Sequence, residues 1–182
     1  MNVLRCTLLL LCLPVLAIAQ QKTRLGQYAG SPQGTAACGP ANTSFKVNLD
    51  RTQHGPTAPE AGKAEVYFIH DAGIPFEHLT LGYPTNKYAI DGTWAGAGHG
   101  DSWFAVSVSS GEHHVCTSLQ SSFADQRVEL AHFTAESGKS YFFRTRLVLS
   151  RSVELLELDR IDSDEGEYLI SSYPLAVAHA KK

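Results

Sequence analysis

Histidine has the widest chemical reach in this chain, at His70, His78, His99, His113, His114 and His132. An open zinc site takes three imidazole or carboxylate ligands converging from neighbouring strands and keeps one position for water. On a strand beginning at Glu112, His114 and Cys116 share a face and His113 points the other way; on a strand beginning at Val128, His132 shares a face with Leu130. His99 lies in a glycine-rich stretch that reads as a loop able to approach either strand. His99, His114 and His132 are thus the candidate ligands of a metal-dependent hydrolytic enzyme. No His-x-His or His-Glu-x-x-His spacing accompanies them. The local pattern therefore points to no metal, and solvated or hydrogen-bonded strand histidines are the simpler reading.

Gly98-His99-Gly100-Asp101-Ser102-Trp103 sets histidine, aspartate and serine side by side. Hydrolase triads instead assemble distant residues, with the serine on a constrained turn such as Gly-x-Ser-x-Gly. That motif is absent, so Asp101 and Ser102 read as turn-shaping residues and no catalytic residue is assigned. Asp159, Asp162, Asp164, Glu165 and Glu167 form an acidic cluster, but its spacing is not that of a calcium loop, and it reads as a solvated acidic turn. Trp94 and Trp103 flank the glycine stretch. With Phe104 beside them and His99 between, they could form a sugar- or peptide-binding platform, such as a carbohydrate-binding module using Trp94 and Trp103, against the competing and stronger expectation that the aromatic rings pack in the core. Neither a phosphate loop nor a dinucleotide fingerprint occurs, and the sequence implies no cofactor.

These residues need elements to hold them, and from Lys63 onward the period of the apolar residues is two. Phe45 to Leu49, Ala64 to His70, Leu79 to Tyr83, Lys87 to Ile90, Trp103 to Ser109, Glu112 to Ser118, Val128 to Ala135 and Lys139 to Leu149 read as strands, with Ala64 to His70 central in its sheet. The last two flank Glu136-Ser137-Gly138 and read as an antiparallel hairpin. Ser152 to Leu158, and Glu167 to Ser171, are compatible with strand or short helix. No helix of ordinary length is expected. About eight short strands with glycine-rich turns predict an all-β antiparallel sandwich. Val66, Phe68, Val106, Leu130, Tyr141 and Phe143 are its expected core, with Phe142 on the face that carries Arg144 and Arg146.

The N-terminus has the layout of a secretion signal. One cation, Arg5, precedes an apolar run from Cys6 to Leu16, and Ala17-Ile18-Ala19 offers small residues for cleavage before Gln20. The apolar run is short for a membrane span, which needs about 20 residues. Leu11 before Cys12 argues against lipidation, which wants a small residue there. Of 182 residues, 19 would leave with the signal and 163 would remain. The expected organisation is a signal over 1–19, a flexible Gly/Pro-rich lead-in over 20–43, a sandwich domain over 44–178 and a frayed tail over 179–182. Nothing after residue 19 reads as a membrane span. Loss of Arg5 takes the formal charge from −3 to −4, against the basic surface that nonspecific nucleic-acid binding requires. Only Cys38 and Cys116 remain after cleavage, and two cysteines in an exported protein predict a disulfide.

Several stretches together resemble the bacterial domain of unknown function 2846. They are Gly62 to Ile69, Ile90-Asp91-Gly92-Thr93-Trp94, Ser110-Gly111-Glu112-His113-His114, and Leu130 to Arg144. The likeness is strongest to secreted members that also carry a Cys-Gly-Pro lead-in, a Gly-His-Gly segment and an Asp-Ser-Asp-Glu-Gly turn, and it spans roughly residues 38–182. The resemblance implies a small β-sandwich of the cell envelope, periplasmic or secreted, and supplies no catalytic residues. The resulting expectation is a non-enzymatic binding or structural accessory whose partner is an envelope protein or a glycan.

Overall fold

The computed structural model describes residues 27–28, 38–53, 55–73, 84–120, 127–150 and 153–181. The expected secretion signal over 1–19 and the expected strand over Leu79 to Tyr83 lie outside the described residues. So does His78.

Two sheets face each other. The five-stranded sheet has the order β1 (Gln27–Tyr28), β8 (Arg127–Ala135), β7 (Gly111–Gln120), β4 (Thr85–Ile90), β5 (Thr93–His99). The six-stranded sheet has the order β10 (Val153–Ile161), β9 (Ser140–Ser150), β3 (Lys63–Asp71), β6 (Ser102–Ser109), β11 (Leu175–Ala180), β2 (Phe45–Asp50). Pairing is antiparallel except for β3 with β9 and β6 with β11, which run parallel. The chain is thus the all-β sandwich its periodicity predicts, with eleven strands among the described residues where about eight were expected. β3 holds a central place, and that is why seven of its consecutive residues, Ala64 to His70, are buried.

The core between the sheets contains Val66, Phe68, Tyr88, Phe104, Val115, Phe133, Tyr141, Phe143 and Leu158, with Val106 partly buried against it. Aromatic rings bridge the layers: Phe68 lies 4.9 Å from Tyr88, and Phe133 5.2 Å from Phe143. Leu130 does not join them; it is 39% exposed. In β8 the large Phe133 turns inward with Ala131 and Ala135, and this alternation forces Leu130 and His132 to the outer face.

Four further expectations are corrected. β8 and β9 are not a hairpin, because Glu136 to Lys139 carries the chain from one sheet to the other. The stretch expected as a glycine loop is strand β5, whose glycines admit the facing sheet: a Cβ at Gly98 would lie 2.9 Å from the Cβ of His70. Helix α1 (Ser163–Ser172) replaces the acidic turn and the ambiguous segment after it. Asp162 caps it by accepting from the Glu165 N–H at 2.9 Å, and Asp164 and Glu165 complement the positive end of the helix. The tail is paired rather than frayed, with His179 opposite Lys46 and the Lys181 N–H donating to the Ser44 carbonyl at 2.8 Å.

Helix α1 covers the outer face of the six-stranded sheet, where Leu169 and Ile170 pack on Tyr67, Ile69, Trp103 and Phe142. Phe142 and Phe143 are therefore both buried, on opposite faces of β9. The ambiguous segment at Ser152 to Leu158 falls on strand β10 from Val153 onward.

Candidate functional site

The outer face of the five-stranded sheet carries a cover built from the lead-in. Cys38 is bonded to Cys116 of β7, with 5.2 Å between their Cα atoms, and both residues are fully buried. The cover is fastened twice more. Trp94 Nε1 donates to the Pro40 carbonyl at 2.9 Å. Lys87 Nζ donates to the carbonyls of Ala41 at 3.2 Å and Thr43 at 2.9 Å, and it stands 4.4 Å from the centre of the Trp94 ring. Lys87 is 1% exposed, and burial lowers its pKa because the charged form loses hydration. The C-terminal part of the expected flexible lead-in is thus a fixed strap, and β1 pairs with β8 further upstream.

Trp94 holds this strap from β5, and Trp103 lies on the outer face of the other sheet. The Trp103 indole is 4% exposed beneath α1, and its Nε1 donates to the Tyr173 carbonyl at 3.0 Å. The two indoles sit on the outer faces of different sheets. They cannot form one sugar platform with His99, which corrects that expectation.

The histidines part in the same way. His114 and His132 are directly opposite each other on β7 and β8, exposed on the outer face, with ring centres 6.5 Å apart. His99 is on β5, opposite Thr85, which is itself opposite Gln120. That is six residues along β7 from His114, or about 20 Å at ~3.3 Å per residue. Thr85 Oγ1 is 3.2 Å from His99 Nδ1. The three candidate ligands therefore do not converge. Among the described residues no three His, Cys, Asp or Glu side chains are grouped to hold a metal.

Two other histidines are buried. His113 points inward from β7 against Phe133, with ring centres 5.6 Å apart. Its Nδ1 is 2.7 Å from an Asp91 carboxylate oxygen and its Nε2 2.8 Å from the Ser109 carbonyl. Both partners are acceptors, so the two bonds together need a proton on each nitrogen. Burial opposes that charge, but the bonds to Asp91 and Ser109 and the Asp91 charge outweigh it and raise the His113 pKa. Asp91 shows the mirror effect. Burial pushes its pKa up, yet the His114 N–H at 2.8 Å and the His113 ring outweigh burial and lower it. Asp91 and Gly92 both have positive φ, 50° and 76°, as a tight hairpin turn requires.

His70 is the centre of a polar layer inside the sandwich. Its row on the six-stranded sheet runs Thr145, His70, Ser102, and Asn86 and Tyr88 line the inner face of the other sheet. All five are at most 1% exposed. His70 Nδ1 bonds the Gly100 carbonyl, and burial lowers the ring's pKa, so the neutral ring carries its proton on Nδ1. Burial raises the pKa of Tyr88; Thr145 and Asn86 stand near enough to oppose that rise. No hydrogen bond of ordinary geometry reaches the Asn86 amide, the Tyr88 hydroxyl or the Thr145 hydroxyl among the described residues. Sequence reasoning missed this layer. Its one legible signal was polar residues at the inward positions of otherwise apolar strands.

No helix among the described residues is long and apolar enough to cross a membrane. No family model matches the chain, and no solved structure matches it. The chain is similar to an uncharacterized protein of Haemophilus influenzae, 28% identical over 123 residues, which cover 67% of this chain and 66% of that relative. It thus spans just under two thirds of the relative's length.

Proposed function

We propose that this protein is an exported β-sandwich of the bacterial envelope that acts by binding or as a structural accessory rather than by catalysis. The observation that carries the reading is the Cys38–Cys116 bridge, which fastens the strap to the sheet through two fully buried sulfurs. Such a bridge persists in an oxidising compartment and is lost where thioredoxin and glutathione keep thiols reduced. The signal-like residues 1–19 and the resemblance to secreted members of domain of unknown function 2846 favour the same compartment. Binding is favoured over catalysis because the groups with chemical potential hold the fold together. His113 ties two turns, Lys87 holds the strap, and His70 Nδ1 is committed to a backbone carbonyl.

Expression of the full chain in a Gram-negative host, followed by fractionation and intact-mass measurement, tests the proposal. The expected product is periplasmic or secreted, begins at Gln20 and carries no alkylatable thiol. A full-length, reduced product retained in the cytoplasm would overturn it.

A further inference from the structure

Among the described residues, no hydrogen bond reaches the paired imidazoles of His114 and His132. We propose that they form an open, two-imidazole chelate for a divalent transition-metal ion, with copper(II) bound most tightly. The site stands independently of the export reading.

The geometry begins with register. His114 and His132 are partners across the antiparallel β7–β8 pair, where opposite Cβ atoms lie about 4.5–5.5 Å apart. Their ring centres are 6.5 Å apart. Each ring nitrogen lies about 1.2 Å from its ring centre, so donor atoms turned toward each other come to about 4.1 Å. A metal bonded at ~2.0–2.1 Å to each nitrogen spans that gap. Both side chains are exposed, so small rotations bring the nitrogens closer without repacking.

The surroundings favour a cation. Asp91 lies beside His114, accepting its backbone N–H at 2.8 Å. Glu112 shares the outer face two residues before His114 and accepts from the Thr134 hydroxyl of β8. Two carboxylates thus border the pair, while the remaining coordination positions open to solvent. Two neutral imidazoles with water are borderline ligands, and for such a set divalent affinity peaks at copper.

The test uses the full chain with its disulfide intact and copper(II) chloride as probe, titrated calorimetrically in a non-coordinating buffer near neutral pH. Electron paramagnetic resonance of the one-to-one complex gives the nitrogen count. The expected result is one site with two imidazole nitrogens, weaker for nickel and zinc. His114→Asn and His132→Asn should each weaken it at least about tenfold. His179→Asn, on the other sheet, should leave it unchanged. Both positions are exposed, so circular dichroism should show folded variants. Titrations of both variants that match the parent would overturn the proposal. So would an equal loss in His179→Asn, or a spectrum with a single nitrogen ligand.

Discussion

The His113 ring and the Asp91 carboxylate meet at 2.7 Å, joining the start of β7 to the turn between β4 and β5. The same ring reaches the Ser109 carbonyl on its other side, so one imidazole closes two strand connections at one end of the sandwich.

This contact predicts a pH signature. The folded His113 pKa is raised above its ordinary value, about 6.5, so the stability it contributes is full below that value and is lost as pH rises through the folded pKa. The Asp91 pKa is lowered, so its contribution is full above about 3.8 and is lost as pH falls through the depressed value. Buried, neutral His70 works in the opposite sense, losing stability as acid protonates the unfolded chain first. The difference between parent and His113→Gln isolates the first term. Thermal melts should show that difference largest near pH 5–6 and shrinking toward pH 8; a gap that stays constant across this range would refute the assignment.

Burial on both faces of β9 predicts two costly truncations where sequence alternation pointed to one. Phe143→Ala opens the core between the sheets, and Phe142→Ala opens the layer beneath α1. Each should cost about 3–5 kcal/mol by denaturant unfolding. Leu130→Ala, on the outer face, should cost less than about 1 kcal/mol. A Phe142→Ala loss as small as that would mean that α1 does not seal this face.

The contrast between Phe142 and Leu130 shows what period two can and cannot reveal. Alternation identifies β9 because its inward residues Tyr141 and Phe143 are large and apolar. It does not identify which layer covers the other face, since that depends on Leu169 and Ile170 of a helix further along the chain. In β8 the pattern offers Val128 and Leu130 on one face and Ala131, Phe133 and Ala135 on the other. Only the facing rings of Tyr141 and Phe143 decide in favour of Phe133. Turn chemistry was legible at Asp91-Gly92 and Gly138, but a turn does not say whether the next strand rejoins its own sheet or crosses to the other. The His113–Asp91 contact joins residues 22 apart in sequence and leaves no local trace.

Helix α1 carries its own test. Gly166 sits in its first turn, where an added Cβ would collide with the Phe142 ring. Ala is ordinarily the better helix former by about 1 kcal/mol. Here Gly166→Ala should destabilise the protein, and pairing it with Phe142→Leu should recover part of the loss. Stabilisation by Gly166→Ala alone would show that helix and sheet are further apart.

The last expectation concerns the strap. Cys38 and Cys116 are 78 residues apart in sequence, and their bond closes β2 to β6 and the first half of β7 into one loop. The chain-entropy treatment values such a closure at about 4–5 kcal/mol, with measured cases often lower. Losing the bond does not free the strap at once, because Lys87 and Trp94 hold the carbonyls of Pro40, Ala41 and Thr43. Two removals should therefore add to more than either alone. Cys38→Ala/Cys116→Ala should lower the melting temperature yet leave the segment before Ser44 partly protected from protease. Adding Lys87→Met removes the ammonium that holds two carbonyls, and limited proteolysis should then cut before Ser44 while the sandwich stays intact. Hydrogen exchange at Ala89 and Val128 should rise in the same variant, since both lie under the strap. If the triple variant is cut no faster than the double, Lys87 is not the second fastening, and the strap is held by the bond and Trp94 alone.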